Sequence, residues 1–116
     1  MPGEQQAASA VVEPEAEVTT GQETRRLPPY NVVILNDEEH TFDYVIELLA
    51  KLFGHSLPVA IELTFRIDLT GRAVVYTTHK EKAELKRDQV LAYGPDPRMS
   101  ISKTSLGCYI EPAPTG

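Results

Sequence analysis

Apolar side chains recur at intervals of three and four residues after Thr41. The residues that share this spacing are Phe42, Val45, Ile46, Leu49, Leu52 and Phe53. Such a pattern places them on one stripe of an amphipathic helix. Thr41 suits the N-cap, Asp43 lies in the first turn and Gly54 suits the end. The pattern therefore predicts a helix over this segment.

A second helix is predicted from Ser56 to about Leu69, since Pro58 is tolerated in a first turn. Thr64, Ile67 and Asp68 fall at i, i+3 and i+4 on it. Residues at this spacing are neighbours on a helix surface, so we expect these three side chains to share one face of the second helix.

A third helix is predicted after the segment THKE, Thr78 to Glu81, which has the pattern of a capping box. The helix ends before Gly94. Lys86 and Arg87 interrupt its apolar stripe, so we expect it to lie on the outside of the molecule.

Short runs of β-branched and apolar residues predict three strands, at Tyr30–Leu35, Arg72–Thr78 and Gly107–Glu111. The order is strand, helix, helix, strand, helix, strand. A core of this size suits an α+β sandwich, a three-stranded sheet with the helices on one face. The pattern alone leaves the strand directions open.

The first 27 residues contain five glutamates and no aromatic residue. Such a segment buries too little surface to offset the entropy of ordering. We therefore expect a disordered N-terminal extension, residues 1–27, followed by one core domain, residues 28–113.

The whole chain of 116 residues has a net charge of −6, which argues against nucleic acid as a partner. No apolar stretch approaches the roughly 20 residues that span a bilayer. The N-terminus lacks the pattern of a secretory signal. Cys108 is the only cysteine, which suits a reducing compartment. We expect a soluble, cytoplasmic protein.

Catalytic and metal chemistry find little support in the residue types. The chain offers Cys108 and three scattered histidines as potential nucleophile and bases. Asp37, Glu38 and His40 could form a metal site, but the spacing of a calcium loop or a zinc helix is absent. We expect neither an enzyme nor a metal or other cofactor.

Peptide binding fits the pattern better. Asn36 and Asp37 follow a strand and precede a helix that begins with Phe42, so polar groups lie beside an apolar surface. The shared face of the second helix would add an apolar wall and a second carboxylate. The α-amino end of a peptide with a bulky first side chain would satisfy both parts of such a pocket.

The segments PPYNVVILNDEEHTFDYVIELLAKLF, TGRAVVYTT and LGCYIEPA occur in that order. They resemble the ClpS family over about Pro28 to Ala113. The resemblance implies an antiparallel sandwich that acts as an adaptor. Such adaptors grip the first residue of N-degron substrates, typically Leu, Phe, Tyr or Trp, and deliver them to the AAA+ unfoldase of a Clp protease.

By position, the resemblance implies that Asn36 bonds the α-amino group and that Asp37 holds the peptide start. The residues that it implies around the first side chain are Phe42, Val45, Thr64, Ile67 and Leu106. The chain departs from the family at Asp68, which replaces a pocket histidine, and at Thr64, which replaces a methionine. An ionised carboxylate at Asp68 can accept the bond that the histidine accepts.

The resemblance further implies that Glu81 and Lys86 contact the N-terminal domain of a ClpA- or ClpC-type unfoldase, and that the N-terminal extension reaches its pore. The altered pocket leaves an alternative open. In this alternative, the chain regulates the unfoldase and has changed or lost its N-degron specificity.

Overall fold

The computed structural model describes residues 27–114. Its elements are β1 Tyr30–Leu35, α1 Phe42–Phe53, α2 Leu57–Thr70, β2 Arg72–Thr78, α3 Lys80–Leu91 and β3 Cys108–Pro112. This order confirms the predicted α+β fold class. The predicted extension, residues 1–27, lies outside the described residues except for Leu27. No helix within residues 27–114 has the length and apolar character needed to cross a membrane.

The three strands form one antiparallel sheet in the order β2-β1-β3. Both outer strands pair with β1, so that Val33 lies opposite Val74 of β2 and Tyr109 of β3. The register with β2 shifts between Val32 and Val33, as at a β-bulge. The position of β1 at the centre of the sheet fixes where the residues that follow this strand can lie.

The core lies between one face of the sheet and the three helices. Val32 and Ile34 share this face because alternate residues of a strand point to the same side, and both are fully buried. The helix residues in the same apolar cluster are Tyr44, Val45, Leu48, Leu49 and Phe53 of α1, Ala60, Leu63 and Ile67 of α2, and Ala83 and Val90 of α3. All three helices therefore cover one side of the sheet.

Helix α1 has the predicted caps, but its buried face differs from the predicted stripe. The hydroxyl of Thr41 accepts a hydrogen bond from the backbone N–H of Tyr44, and Gly54 ends the helix with φ of 72°, a left-handed conformation that suits glycine. Phe42 of the stripe is 39% exposed, whereas Tyr44 and Leu48 are buried. Because α1 contacts α2, α3 and the sheet, its covered surface is wider than one stripe.

The capping box predicted at Thr78 is wrong. Thr78 is the last residue of β2 and pairs with Tyr30 of β1, so its backbone is held in the sheet. The N-cap of α3 is His79, whose side chain makes no capping hydrogen bond. The helix ends at Leu91, before Gly94 as predicted.

Two other predicted bounds differ slightly from the structure. Ser56 is the N-cap of α2 rather than its first residue, and the helix extends through Thr70. Strand β3 begins at Cys108 rather than Gly107 and includes Pro112. Differences of this size are common at the ends of elements, where the local pattern is weakest.

Residues 92–107, the 92–107 loop, connect α3 to β3. The Ser102 hydroxyl accepts a hydrogen bond from the N–H of Asp96 at 2.8 Å, and the Ser105 hydroxyl donates to the carbonyl of Gly94 at 3.1 Å. The sequence predicts a polar loop, and these bonds give it a defined path. Its end brings the side chain of Leu106 into the core, where it is 2% exposed.

Candidate functional site

A cavity opens where β1 ends, beside the start of α1 and the last turns of α2. The N–H of Asn36 donates to the carbonyl of Gly71 at 2.9 Å, which joins the end of β1 to the C-cap of α2. The N–H of Leu35 donates to the carbonyl of Gly107 at 3.0 Å, which joins it to the end of the 92–107 loop. Two backbone bonds thus bring three distant segments to one place.

The cavity has a volume of about 340 Å³, which includes its open mouth. Its lining residues are Asn36, Asp37, His40, Phe42, Val45, Thr64, Ile67, Asp68 and Leu106. Every residue that the sequence analysis assigned to peptide binding is therefore in this group. The structure brings these side chains together, and their contacts with a peptide stay a prediction.

The inner walls of the cavity are mainly apolar. Val45, Ile67 and Leu106 are at least nine-tenths buried and supply aliphatic surface from three different segments. Thr64 is also buried, and its hydroxyl donates to the carbonyl of Ala60 at 2.7 Å. Because that donor is already used within α2, Thr64 offers the cavity no free hydroxyl proton.

Two aromatic rings stand at the rim. Phe42 and Phe65 meet edge to face, with 5.1 Å between ring centroids and 87° between planes. Phe42 lines the cavity and is 39% exposed, and Phe65 is 49% exposed. This geometry is the favourable one for aromatic pairs, so the contact with Phe65 stabilises the position of the Phe42 ring.

The polar groups of the lining divide into paired and unpaired ones. His40 Nδ1 lies 2.8 Å from both carboxylate oxygens of Asp37, and the N–H of Glu39 donates to Asp37 Oδ1 at 3.0 Å. Within residues 27–114, the side chains of Asn36 and Asp68 have no hydrogen-bond or ion-pair partner. Both are exposed, so these two side chains are open to a ligand.

A buried carboxylate outside the cavity supports its wall. Asp96 in the 92–107 loop accepts hydrogen bonds from the N–H and hydroxyl of Thr41 and from the N–H of Arg98. Burial by itself would raise the pKa of Asp96, but these hydrogen bonds lower it to about 2. The ionised carboxylate therefore anchors the loop that carries Leu106 to the start of α1.

The two residues that the resemblance assigned to the unfoldase lie on α3 and do not line the cavity. Glu81 is exposed in the first turn. Lys86 is half-buried, and its Nζ donates to the carbonyl of Leu52 at 2.5 Å and lies 5.8 Å from the ring of Phe53. Lys86 therefore stabilises the C-terminal end of α1, a role that the sequence did not predict.

Sequence reasoning missed the roles of two residues in this region. The sequence suggests His40 as a metal ligand with Asp37 and Glu38 and as one of three scattered bases, although its spacing from Asp37 permits a bond within one turn. Asp96 falls in a predicted polar loop, although Asp followed two residues later by a free N–H is a common turn pattern. Their distant partners, Thr104 for His40 and Thr41 for Asp96, have no local signal in the sequence.

Metal and thiol chemistry find no support in the described part of the chain. Within residues 27–114, no group of three or more His, Cys, Asp or Glu side chains is placed to hold a metal ion. Burial raises the pKa of Cys108 to about 12, so its thiol stays protonated at neutral pH and is a poor nucleophile.

A family model for the ATP-dependent Clp protease adaptor protein ClpS matches residues 25–98. Two similar proteins are named ATP-dependent Clp protease adapter protein ClpS. The one from Vibrio atlanticus (strain LGP32) is 34% identical over 82 residues, which cover 69% of this chain and 77% of the relative. The one from Nostoc sp. (strain PCC 7120) is 34% identical over 89 residues, which cover 76% and 90%.

Among solved structures, that of Agrobacterium tumefaciens ClpS2 bound to L-phenylalaninamide is similar to this one. The TM-score is 0.64 at 24% sequence identity, and the alignment covers 74% of this chain and 98% of the other. This likeness in structure shows a common fold, and the family model and the two relatives also show which family the chain belongs to. The chain belongs to the ClpS family of Clp protease adaptor proteins.

Proposed function

We propose that this chain binds proteins whose first residue is bulky and hydrophobic, and that it delivers them to the AAA+ unfoldase of a Clp protease. The observation that carries the proposal is the cavity, which is apolar inside and whose lining has an amide and a carboxylate without a partner among residues 27–114. An α-ammonium group next to a large apolar side chain matches both features, because each part of the ligand meets its own kind of surface.

The proposed contacts follow from this division. The first side chain enters between Val45, Ile67 and Leu106, which are already buried and lose little freedom on binding. The α-ammonium donates to the Asn36 amide oxygen and to the carboxylate of Asp68. Phe42 covers the side chain at the rim.

The chemistry of a known ligand supports this assignment. L-phenylalaninamide, which is bound to the Agrobacterium ClpS2, has a free α-amino group and an aromatic side chain. It also has an amide where a peptide would continue. Because that protein has the same fold, its ligand supports the proposal that this cavity accepts an N-terminal residue with an apolar side chain.

For delivery, we propose that α3 docks on the N-terminal domain of a ClpA- or ClpC-type unfoldase through Glu81 and Lys86, and that residues 1–24 reach the pore of the unfoldase. The proposed setting is the cytoplasm. The chain then contributes binding and geometry, and the unfoldase and protease perform the chemistry.

The test is a titration of the protein into two fluorescent peptides that begin with Phe and differ only at the first nitrogen. One has a free α-amino group and the other is acetylated. We expect tight binding of the free peptide and a loss of at least about tenfold on acetylation, because a charge-assisted hydrogen bond is removed. A third peptide that begins with Gly controls for the side chain. Equal affinities for all three would contradict the proposal and favour the alternative, a regulator without N-degron specificity.

A further inference from the structure

His40 is buried beside the cavity and joins two segments that are far apart in the sequence. Its side chain is 1% exposed. Nδ1 lies 2.8 Å from both oxygens of Asp37 in the turn after β1. Nε2 lies 2.7 Å from the carbonyl oxygen of Thr104 in the 92–107 loop. The imidazole therefore spans the gap between the acidic turn and the loop.

The chemistry of the two partners defines what the ring must donate. A carbonyl oxygen can only accept, and an ionised carboxylate can only accept. His40 therefore makes both bonds at once only when both ring nitrogens carry hydrogen. In that form the bond between the ring and Asp37 is a charge-assisted hydrogen bond.

Other contacts fix the position of the His40 ring. The ring of Tyr44 lies 4.6 Å from that of His40, measured between centroids. The Tyr44 hydroxyl donates to the carbonyl of Gly94 at 2.5 Å, which ties α1 to the same loop. The hydroxyl of Ser102 lies 3.4 Å from His40 Nε2, farther than the Thr104 carbonyl. His40 is thus fixed by packing as well as by its bonds.

The residues next to these contacts line the cavity. Asn36 precedes Asp37, and Leu106 follows Thr104 by two positions. We propose that His40 is a positioning residue of the cavity: it holds Asp37 and the Thr104 carbonyl, so that Asn36 and Leu106 keep their places. Asp68 is then the carboxylate of the lining that has no partner among the described residues. This deepens the proposed function and rests on it.

Variants of the two aspartates should combine differently with His40→Gln. Asp37 acts through His40, so the effects of Asp37→Asn and His40→Gln on peptide affinity should overlap strongly. Asp68 acts on the ligand directly, so Asp68→Asn should have its full effect in either background. Residues in contact show such coupling, whereas independent ones add.

The experiment measures the affinity of the free-amine Phe peptide for the unaltered protein, His40→Gln, Asp37→Asn, Asp68→Asn, and the two double variants that contain His40→Gln. We expect His40→Gln to weaken binding about tenfold, because the peptide must then order the turn and the 92–107 loop that the ring otherwise holds in place. In the protein that already contains His40→Gln, Asp37→Asn should weaken binding by less than about twofold further. Asp68→Asn should weaken binding by the same factor there as in the unaltered protein. His79→Gln, at the N-cap of α3, is the matched control and should bind normally.

Salt dependence separates positioning from a general loss of structure. Because the carboxylate of Asp37 is held by the ring of His40 and that of Asp68 is open to the ligand, Asp68→Asn should flatten the slope of affinity against salt more than Asp37→Asn does. Equal flattening by both variants, full additivity of Asp37→Asn with His40→Gln, or normal affinity of His40→Gln would each overturn the proposal.

A second measurement needs no peptide. NMR of the histidine rings in the free protein should show both N–H groups of His40 as hydrogen-bonded, slowly exchanging protons. A spectrum in which only one ring nitrogen of His40 carries a bonded proton would overturn the proposal even if the peptide binds. Failure of the unaltered protein to bind the free-amine peptide would instead overturn the proposed function, and the ring spectrum would still decide whether His40 bridges the two segments.

Discussion

Asp96 accepts hydrogen bonds from both the backbone N–H and the hydroxyl of Thr41, at 2.7 and 2.8 Å. Thr41 is the N-cap of α1, and Asp96 lies 55 positions further along the chain. The side chain of Asp96 is fully buried. A single carboxylate therefore joins the start of α1 to the loop that carries Leu106.

Replacing Asp96 with asparagine should destabilise the fold. The new amide would keep the size of the side chain but lose its charge, and its NH₂ group would face donors. We expect a loss of about 1.5–3 kcal/mol in the free energy of unfolding, the usual range for hydrogen bonds to a charged group. Urea unfolding measures it, and Asp88→Asn at an exposed site of α3 is the matched control.

This loss should depend on pH. The pKa of Asp96 is about 2 in the folded protein against an ordinary 3.8, because the hydrogen bonds outweigh burial. The contribution of the carboxylate is therefore complete above pH 3.8 and is lost as the pH falls through about 2. The difference between the original and Asp96→Asn should shrink over this range. A difference that stays constant would contradict the assignment.

His55 should make stability fall in mild acid. It is buried, and Nε2–H donates to the carbonyl of Val75 at 2.7 Å. Burial lowers the pKa of His55 below its ordinary 6.5, although the bond to Val75 acts in the opposite direction. The unfolded chain therefore binds the proton more readily, so this contribution is complete above pH 6.5 and decreases as the pH falls toward the folded pKa.

The measurement is the free energy of unfolding between about pH 7 and pH 5. His55→Gln keeps an N–H donor for Val75 but does not titrate, so part of the slope should disappear. Groups other than His55 account for any slope that is left. An identical slope in the two proteins would show that His55 does not contribute.

Removing the charge of Asp68 should weaken peptide binding. Asp68→Leu deprives the α-ammonium of an acceptor and should cost about 1–3 kcal/mol in binding. Asp68→His keeps an acceptor and should bind better than Asp68→Leu. Fluorescence anisotropy with the Phe peptide at low and high salt gives the dissociation constants.

The control for Asp68 is Asp43→Asn, which removes an exposed carboxylate from the first turn of α1 without touching the lining. It should change affinity little. If Asp68→Leu binds as tightly as the original protein, Asp68 faces solvent in the complex and Asn36 acts alone.

Variants of Glu81 and Lys86 should separate docking from stability. We expect Glu81→Ala and Lys86→Ala both to weaken binding to the N-terminal domain of the unfoldase. Only Lys86→Ala should also lower the melting temperature, because its Nζ bonds the carbonyl of Leu52. Pull-down with the isolated unfoldase domain and thermal unfolding measure the two effects, and Glu62→Ala on α2 is the control. Normal docking by both α3 variants would place the interface elsewhere.

Deletion of residues 1–24 should separate binding from delivery. The family match begins at residue 25, and the cavity is built within residues 27–114. The shortened protein should therefore bind the Phe peptide with unchanged affinity. Degradation of a substrate that begins with Phe, by the unfoldase and protease together, should be lost. A drop in peptide affinity would mean that the deleted residues take part in the cavity.

Elements whose signals are local could be predicted from the sequence alone. The period of apolar residues and the caps Thr41 and Gly54 define α1, and the β-branched runs give β1 and β2 with the bounds that the structure has. Signals failed where a tertiary contact competed with them. Thr78 has the pattern of a helix cap in the sequence, but pairing with Tyr30 keeps it in the sheet.

The site shows the same division. The acidic turn and the face of α2 could be named from spacing and from the family resemblance, since each lies within one segment. The bond from His40 to Thr104, 64 positions away, is visible only in the folded chain. The physical reason is that a hydrogen bond depends on where two groups meet in space, and local patterns of apolar and polar residues fix the elements but not the distances between them.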